Sequence, residues 1–188
     1  MTAQNISGSM AAMALGACFE TLVLSDYDGY PERMTEFINT LVQDLSPAGL
    51  WIGAALFYVD FSTMTVKIHN CGFSPVHIFL PVEGGQLAHK SVAPNMPPLG
   101  LQKELDVDKG QIVSIRSGLR MAVHTNGLPN MTALSGEKYG EQNAFNLLKT
   151  LHKQDHRDIP SALDREIEQW LKKAPLVDDI TLMDMRFV

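Results

Sequence analysis

Apolar positions along the chain follow two periods, and the switches between them separate helical from extended stretches. Residues 9–25 (SMAAMALGACFETLVLS) are apolar on nearly every face, the pattern of a buried helix, with Ser7 or Ser9 as its cap. Residues 26–30 (DYDGY) read as a turn. Pro31 opens a second helix at the first-turn position that tolerates proline. Met34, Phe37, Ile38, Leu41, Val42 and Leu45 then recur at i, i+3, i+4, i+7, i+8 and i+11, a one-sided stripe that packs on a core.

After Ser46-Pro47 the pattern becomes that of strands. Residues 51–61 (WIGAALFYVDF), 65–70 (TVKIHN) and 76–82 (VHIFLPV) read as three strands, and Gly84-Gly85 as a tight turn that returns through 86–91. Residues 93–100 (APNMPPLG) hold three prolines and read as an irregular loop. Two further strands, 111–116 and 119–125, flank Ser117-Gly118. Phe145, Leu148 and Leu151 mark a helix after Gly140. Pro160 opens another, with Leu163, Ile167, Trp170 and Leu171 as its buried stripe and Glu168–Lys172 as an i,i+4 pair. Residues 180–188 (ITLMDMRFV) close the chain as a strand. A run of strands bracketed by helices predicts an α+β domain built on antiparallel sheet.

Composition narrows the function classes. The 188 residues carry 21 acidic and 15 basic side chains, a formal charge of -6, with 45% hydrophobic and 19% charged residues. That is the profile of one globular domain. Its acidity argues against nucleic acid, which requires clustered Lys and Arg, and against a polybasic membrane surface. No uncharged apolar run approaches the roughly 18 residues of a membrane span. Cys18 and Cys71 are too few for a disulfide framework and fit a reducing, cytoplasmic setting.

Generic chemistry is sparse. His152 and His156 stand at i,i+4, a spacing that can place two metal ligands on one helix face, although a helix C-terminus attracts histidine for its dipole alone. Ser7-Gly8-Ser9 resembles a small anion nest. There is no phosphate-loop lysine, dinucleotide glycine fingerprint or Ser-His-Asp constellation.

A series of segments in fixed order says more. Asn70-Cys71-Gly72-Phe73-Ser74-Pro75 is followed by Pro98-Leu99-Gly100 and then by residues 117–127 (SGLRMAVHTNG). Residues 135–141 (SGEKYGE) and Asp178-Asp179-Ile180-Thr181 complete it. The series resembles the SpoIIE-type phosphatase domain, a bacterial branch of the metal-dependent protein phosphatase 2C superfamily. That family shows Asn-Ala-Gly-His-Pro-Pro, Leu-Gly, a Gly-Asp before a strand ending Thr-Asp-Gly, Gly-Glu-x-Phe-Gly and Asp-Asp-Ile-Thr. The match needs almost no gaps from Trp51 to Val188.

The resemblance implies an antiparallel β-sandwich flanked by helices on both faces, with residues 1–188 as a single domain lacking the family's usual N-terminal strands. It also implies two Mg²⁺ or Mn²⁺ ions, held by several carboxylates, that activate water against phosphoserine or phosphothreonine. Carried over residue by residue, the metal positions are Asp178, Asn126 and Gly127, with Asn5, Asp179, Ser7 and Gly8 as secondary candidates. No residue is assigned a catalytic role.

The departures fall at the ligands. Asn126 stands where the family has Asp, and the first acidic motif is reduced to 3–9 (AQNISGS), without a carboxylate. Phe73 and Leu119 replace a family His and Asp. Enzymatic activity is therefore left open. The reading points to a pseudophosphatase that binds a regulatory partner in bacterial signalling. The alternative is an active Mg/Mn phosphatase acting on a phosphorylated regulator such as an anti-sigma-factor antagonist; a third reading is a fragment. Without the N-terminal strands the sheet would expose an edge, which leads to an expectation of self-association or of a covering partner element.

Overall fold

The computed structural model describes residues 13, 16, 17, 20, 30–45, 51–82, 87–107 and 110–188. The expected Ser7-Gly8-Ser9 nest, Asn5, Cys18 and the Gly84-Gly85 turn lie outside them. Of the first helix, Met13, Gly16, Ala17 and Glu20 are helical, but all four are exposed, so at these positions the helix is not buried all round. Gly16 and Ala17 offer little apolar area to hide. The described elements run α1 (Pro31–Leu45), β1 (Ala54–Asp60), β2 (Thr65–Cys71), β3 (Val76–Pro81), β4 (Leu87–Val92), β5 (Gln111–Ser114) and β6 (Arg120–His124). They continue with α2 (Gly127–Asn130), α3 (Gly140–Leu151), α4 (Ile159–Leu171) and β7 (Leu182–Arg186). The strands form two sheets, ordered β1-β2-β5 and β4-β3-β6-β7, and every pairing with a described register is antiparallel. The α+β expectation holds. No helix among the described residues is long and apolar enough to cross a membrane.

The chain divides into two units, 1–76 with 92–116 and 77–91 with 117–188. In the first, α1 lies on the three-stranded sheet. Ile38 and Val42 pack with Ile52, Cys71 and Leu99, joined by Met34, Ala54 and Leu56. The buried stripe of α1 is rotated from the apolar pattern: Thr35 and Asn39 are buried, while Phe37 is 43% exposed. Both polar residues are satisfied. Thr35 Oγ1 donates to the Pro31 carbonyl at 3.0 Å and lies 2.8 Å from Tyr58 Oη and 2.7 Å from His69 Nδ1. Asn39 accepts from the Gly100 N–H at 2.8 Å and donates to the Gln102 carbonyl at 3.0 Å. An ion pair between Lys67 and Glu32 adds a second tie between α1 and β2, beside that of Thr35 to His69.

The motif 70–75 folds as a turn organised by Asn70. Its amide donates to the carbonyls of Ser74 and Val92 at 3.0 and 3.2 Å and accepts from the Phe73 N–H at 2.9 Å. Gly72 sits at φ 66°, and a Cβ there would meet the Pro98 ring at 2.4 Å. The Asn70 and Pro98 segments are therefore one structural joint.

In the second unit, Phe79, Ala122 and Leu148 form a cluster with Phe145 and Leu182. A larger one gathers Leu128, Met131, Tyr139, Leu147, Leu151 and Leu171. Asn126-Gly127 does not make a hairpin turn; it starts the short helix α2, where Pro129 holds a helical φ. His152 follows the end of α3 and His156 begins a separate 3-10 turn capped by Asp155, so no single helix carries both. Lys172 follows α4 as its cap at φ 47°, its N–H donating to the Glu168 carbonyl at 3.1 Å.

A charge lies buried between α3 and the sheet. Arg120 is 1% exposed. Its Nε donates to Asp184 Oδ2 at 2.5 Å, its Nη1 to the Leu148 carbonyl at 2.6 Å, and its Nη2 pairs with the same carboxylate. Arg186 donates to Asp184 Oδ1 at 3.0 Å and to the carbonyls of Gln154 and Leu151 at 2.8 and 3.1 Å. Two arginines bridged by one aspartate thus satisfy carbonyls at the C-terminal end of α3, where cations are favoured.

Two tests follow from this packing. Asp184→Asn leaves Arg120 buried without its counter-charge and should lower the free energy of unfolding by about 3–5 kcal/mol, measured by urea titration. The second concerns pH. Burial, reinforced by Lys67, depresses His69 from 6.5 to about 4. Burial, then His89 and His124, depresses His77 to about 4. The fold therefore favours both imidazoles in the neutral form. Their contribution is complete above 6.5 and is lost as pH falls through that value towards about 4. The urea midpoint should decline across that window, and less steeply in His77→Phe; an equal slope in the variant would refute the assignment.

Candidate functional site

The predicted metal residues sit where β6 ends and β7 begins. Register pairs His124 with Leu182, so the segment leaving β6 runs beside the segment entering β7. Thr125 joins the two. Its N–H donates to the Thr181 carbonyl at 3.0 Å, its Oγ1 donates to the Asp179 carbonyl at 3.1 Å, and the same oxygen accepts from the Thr181 N–H at 2.9 Å. Three hydrogen bonds from one residue fix the spacing of the two strand ends.

Gly127 closes the contact. It is buried, and a Cβ there would lie 2.2 Å from the Asp179 carbonyl oxygen and 3.1 Å from that of Asp178. Only a residue without a side chain allows α2 to start so close to this backbone. The structure thus brings Asn126-Gly127 and Asp178-Asp179 together, though they are far apart in sequence. Asn126 and Asp179 are exposed and Asp178 is half-buried. Asp178 Oδ1 accepts from the Asp179 N–H at 3.0 Å, so one carboxylate oxygen shapes its own turn. Behind the site, His124 is buried, with Nδ1 3.1 Å from the Thr125 carbonyl and Nε2 4.0 Å from Glu141.

The arrangement was tested against the two-cation centre that the motif series implies. Hard divalent ions in close proximity require several carboxylates. Here Gly127 lies against the backbone carbonyls of Asp178 and Asp179, and among the described residues no group of three or more His, Cys, Asp or Glu is placed to hold a metal. Residues 1–19 contain no Asp or Glu, so the Asn5, Ser7 and Gly8 segment has no carboxylate to add. Among the described residues the donor set falls short of the several carboxylates that a two-cation centre requires.

Sequence reasoning missed Thr125 as the tie between the loops, and missed Arg120, Asp184 and Arg186 behind them. A shallow depression of about 180 Å³ lies elsewhere, lined by Leu134, Glu137, Trp170 and Lys172 among others, and contains none of the predicted residues.

Comparison with known proteins fixes the family. The model of the family described as Stage II sporulation protein E (SpoIIE) matches residues 4–188. The chain belongs to the SpoIIE family. No curated protein sequence matches it. Solved structures resemble this SpoIIE domain in fold. The SiaA-PP2C domain of Pseudomonas aeruginosa has a TM-score of 0.78 at 14% identity, over 98% of this chain and 71% of that one. The RsbU and RsbW domains of a Mycobacterium tuberculosis protein give 0.69 at 15% identity, over 97% of this chain and 48% of theirs. RsbX in complex with magnesium gives 0.59 at 14% identity, over 97% of this chain and 75% of its own. The mixed α+β architecture is that of phosphatase 2C-like folds, as the motif series implied.

The Gly127 contact is open to direct test. Gly127→Ala must force α2 away from Asp179 and should cost about 1–3 kcal/mol, read as a lowered thermal midpoint. Thr125→Val removes both side-chain bonds to the 179–181 backbone while keeping the shape, and Thr125→Ser retains them. Valine should destabilise the domain and serine should not.

Proposed function

We propose that this SpoIIE-type domain is a phosphatase-like signalling module that binds a regulatory protein partner without turning over phosphate. One observation carries the reading. The backbone framework that seats Asn126-Gly127 against Asp178-Asp179 is intact, while the carboxylate count around it falls short of a two-cation centre. A framework kept without its charge serves recognition better than hydrolysis. The family setting supports a partner that is itself a regulator, of the phosphorylated or anti-sigma-factor-antagonist kind, met in the cytoplasm. The competing reading is an active Mg²⁺- or Mn²⁺-dependent phosphoserine/phosphothreonine phosphatase. It draws on the retained Asp178 and on the magnesium held by the fold relative RsbX.

Calorimetric titration with Mn²⁺ and assay on a phosphoserine peptide separate the two. The proposal expects weak metal binding and no phosphate release; tight two-site binding with turnover would overturn it. Asn126→Asp places one negative charge back on the framework and should strengthen Mn²⁺ binding by about tenfold or more. An unchanged affinity in that variant would mean that the strand-end framework is not the metal position.

A further inference from the structure

Asn126-Gly127 has a chemical property that its place in the fold enforces. The chain has eight asparagines, and Asn126 alone is followed by glycine. An asparagine carboxamide is open to attack by the backbone nitrogen of the next residue, which closes a five-membered ring. A side chain on that next residue hinders the approach; glycine has none and lets the backbone turn into it. Packing requires glycine here, because a Cβ at 127 would lie 2.2 Å from the Asp179 carbonyl oxygen. The contact that joins the strand ends therefore places Asn126 in the most reactive context an asparagine has.

Local structure leaves the reaction accessible. Asn126 is exposed, so water reaches its carboxamide, whereas Asn39 and Asn70 are buried. The N–H of Gly127 opens α2, where a helix leaves its first N–H groups without intrahelical partners, and among the described residues it makes no backbone hydrogen bond. The ring closes only when ψ of Asn126 leaves its helical value of -17°. Two hydrogen bonds across this turn resist that rotation, from Asn130 N–H to the Asn126 carbonyl at 3.1 Å and from Leu128 N–H to the Thr125 carbonyl at 3.2 Å. Pro129 has no N–H with which to add a third. So short an element opens locally without unfolding of the domain.

We propose that Asn126 is a self-modifying position, converted without an enzyme to aspartate and isoaspartate. The Gly127 nitrogen loses its proton and bonds to Asn126 Cγ. The carboxamide C–N bond breaks, and its NH₂ group leaves with a proton as ammonia. Water then opens the resulting succinimide. Cleavage between Cγ and the Gly127 nitrogen gives aspartate with the backbone unchanged. Cleavage between the Asn126 carbonyl carbon and that nitrogen gives isoaspartate. One water enters and one ammonia leaves, with no oxidant or reductant. Aspartate adds a carboxylate to the strand end that Gly127 seats against Asp178-Asp179. Isoaspartate instead inserts a methylene into the backbone beside the Gly127 contact and strains it. The conversion stands on the fold alone; its effect on metal binding rests on the proposed reading of the strand ends.

The folded full chain, incubated at neutral pH in heavy-oxygen water and digested for mass spectrometry, should lose its amide at 126 with one labelled oxygen gained. That change should run at least about tenfold ahead of any at the other seven asparagines. Asn126→Gln, whose ring would need six members, should keep its mass. Ion exchange should separate the products, the aspartate form eluting with Asn126→Asp and the isoaspartate form showing a lower thermal midpoint. A folded chain that keeps its amide at 126, while the same chain in urea loses it, would overturn the proposal. So would loss at 126 no faster than at the other asparagines. Conversion to an aspartate form that binds Mn²⁺ no better than the parent would leave the modification standing and sink the metal reading of the strand ends.

Discussion

The register between β6 and β7 is the constraint on which the four-stranded sheet and the candidate site both depend. It pairs Arg120 with Arg186 at one end and His124 with Leu182 at the other. Asp184 lies between, accepting from both arginines, which in turn reach carbonyls at the end of α3. A slip of one residue would turn Asp184 to the opposite face and leave Arg120, 1% exposed, as an unpaired buried charge. No hydrophobic contact discriminates between registers so sharply, because apolar side chains tolerate many neighbours. The same register carries Thr125 to Thr181 and Gly127 to Asp179. The geometry of the candidate site is thus set by charges at the far end of the same two strands.

The first unit uses a polar device of a different kind. Thr35 lies within hydrogen-bonding distance of Tyr58 and His69 and donates to its own helix at Pro31. Burial pushes Tyr58 up to about 12 despite the Thr35 bond, and holds His69 down near 4, so both stay neutral across the ordinary pH range. A network of neutral groups orients α1 on the sheet without the desolvation cost of burying ions.

Much of this architecture could be read from sequence, for identifiable reasons. Pro31 and the proline at 160 mark helix starts because the ring excludes other positions. The strands at 65–71 and 76–81 end at turn residues. The ordered motif series located Asn126-Gly127 and Asp178-Asp179, which the fold then brought into contact. The local chemistry between them was not legible. Thr125 acts through a strand partner 56 residues away, and nothing in its neighbours announces that pairing. Arg120, Asp184 and Arg186 look like ordinary surface charges until strand alternation and register put them on one face. Thr35 and Asn39 are buried polar residues, which a stripe of apolar positions does not include.

Electrostatics gives the strand-end framework its meaning. Carboxylates held close together repel one another, and a cation is what normally offsets that repulsion. In this chain the backbone contacts that draw the loops together, Thr125 to the 179–181 segment and Gly127 against Asp179, are all made by uncharged groups. Their strength does not depend on an ion. With asparagine at 126, the loops meet without the charge that an aspartate would add beside Asp178 and Asp179. An amide at 126 therefore removes one source of repulsion between the loops, and the uncharged contacts of Thr125 and Gly127 hold the two strand ends together.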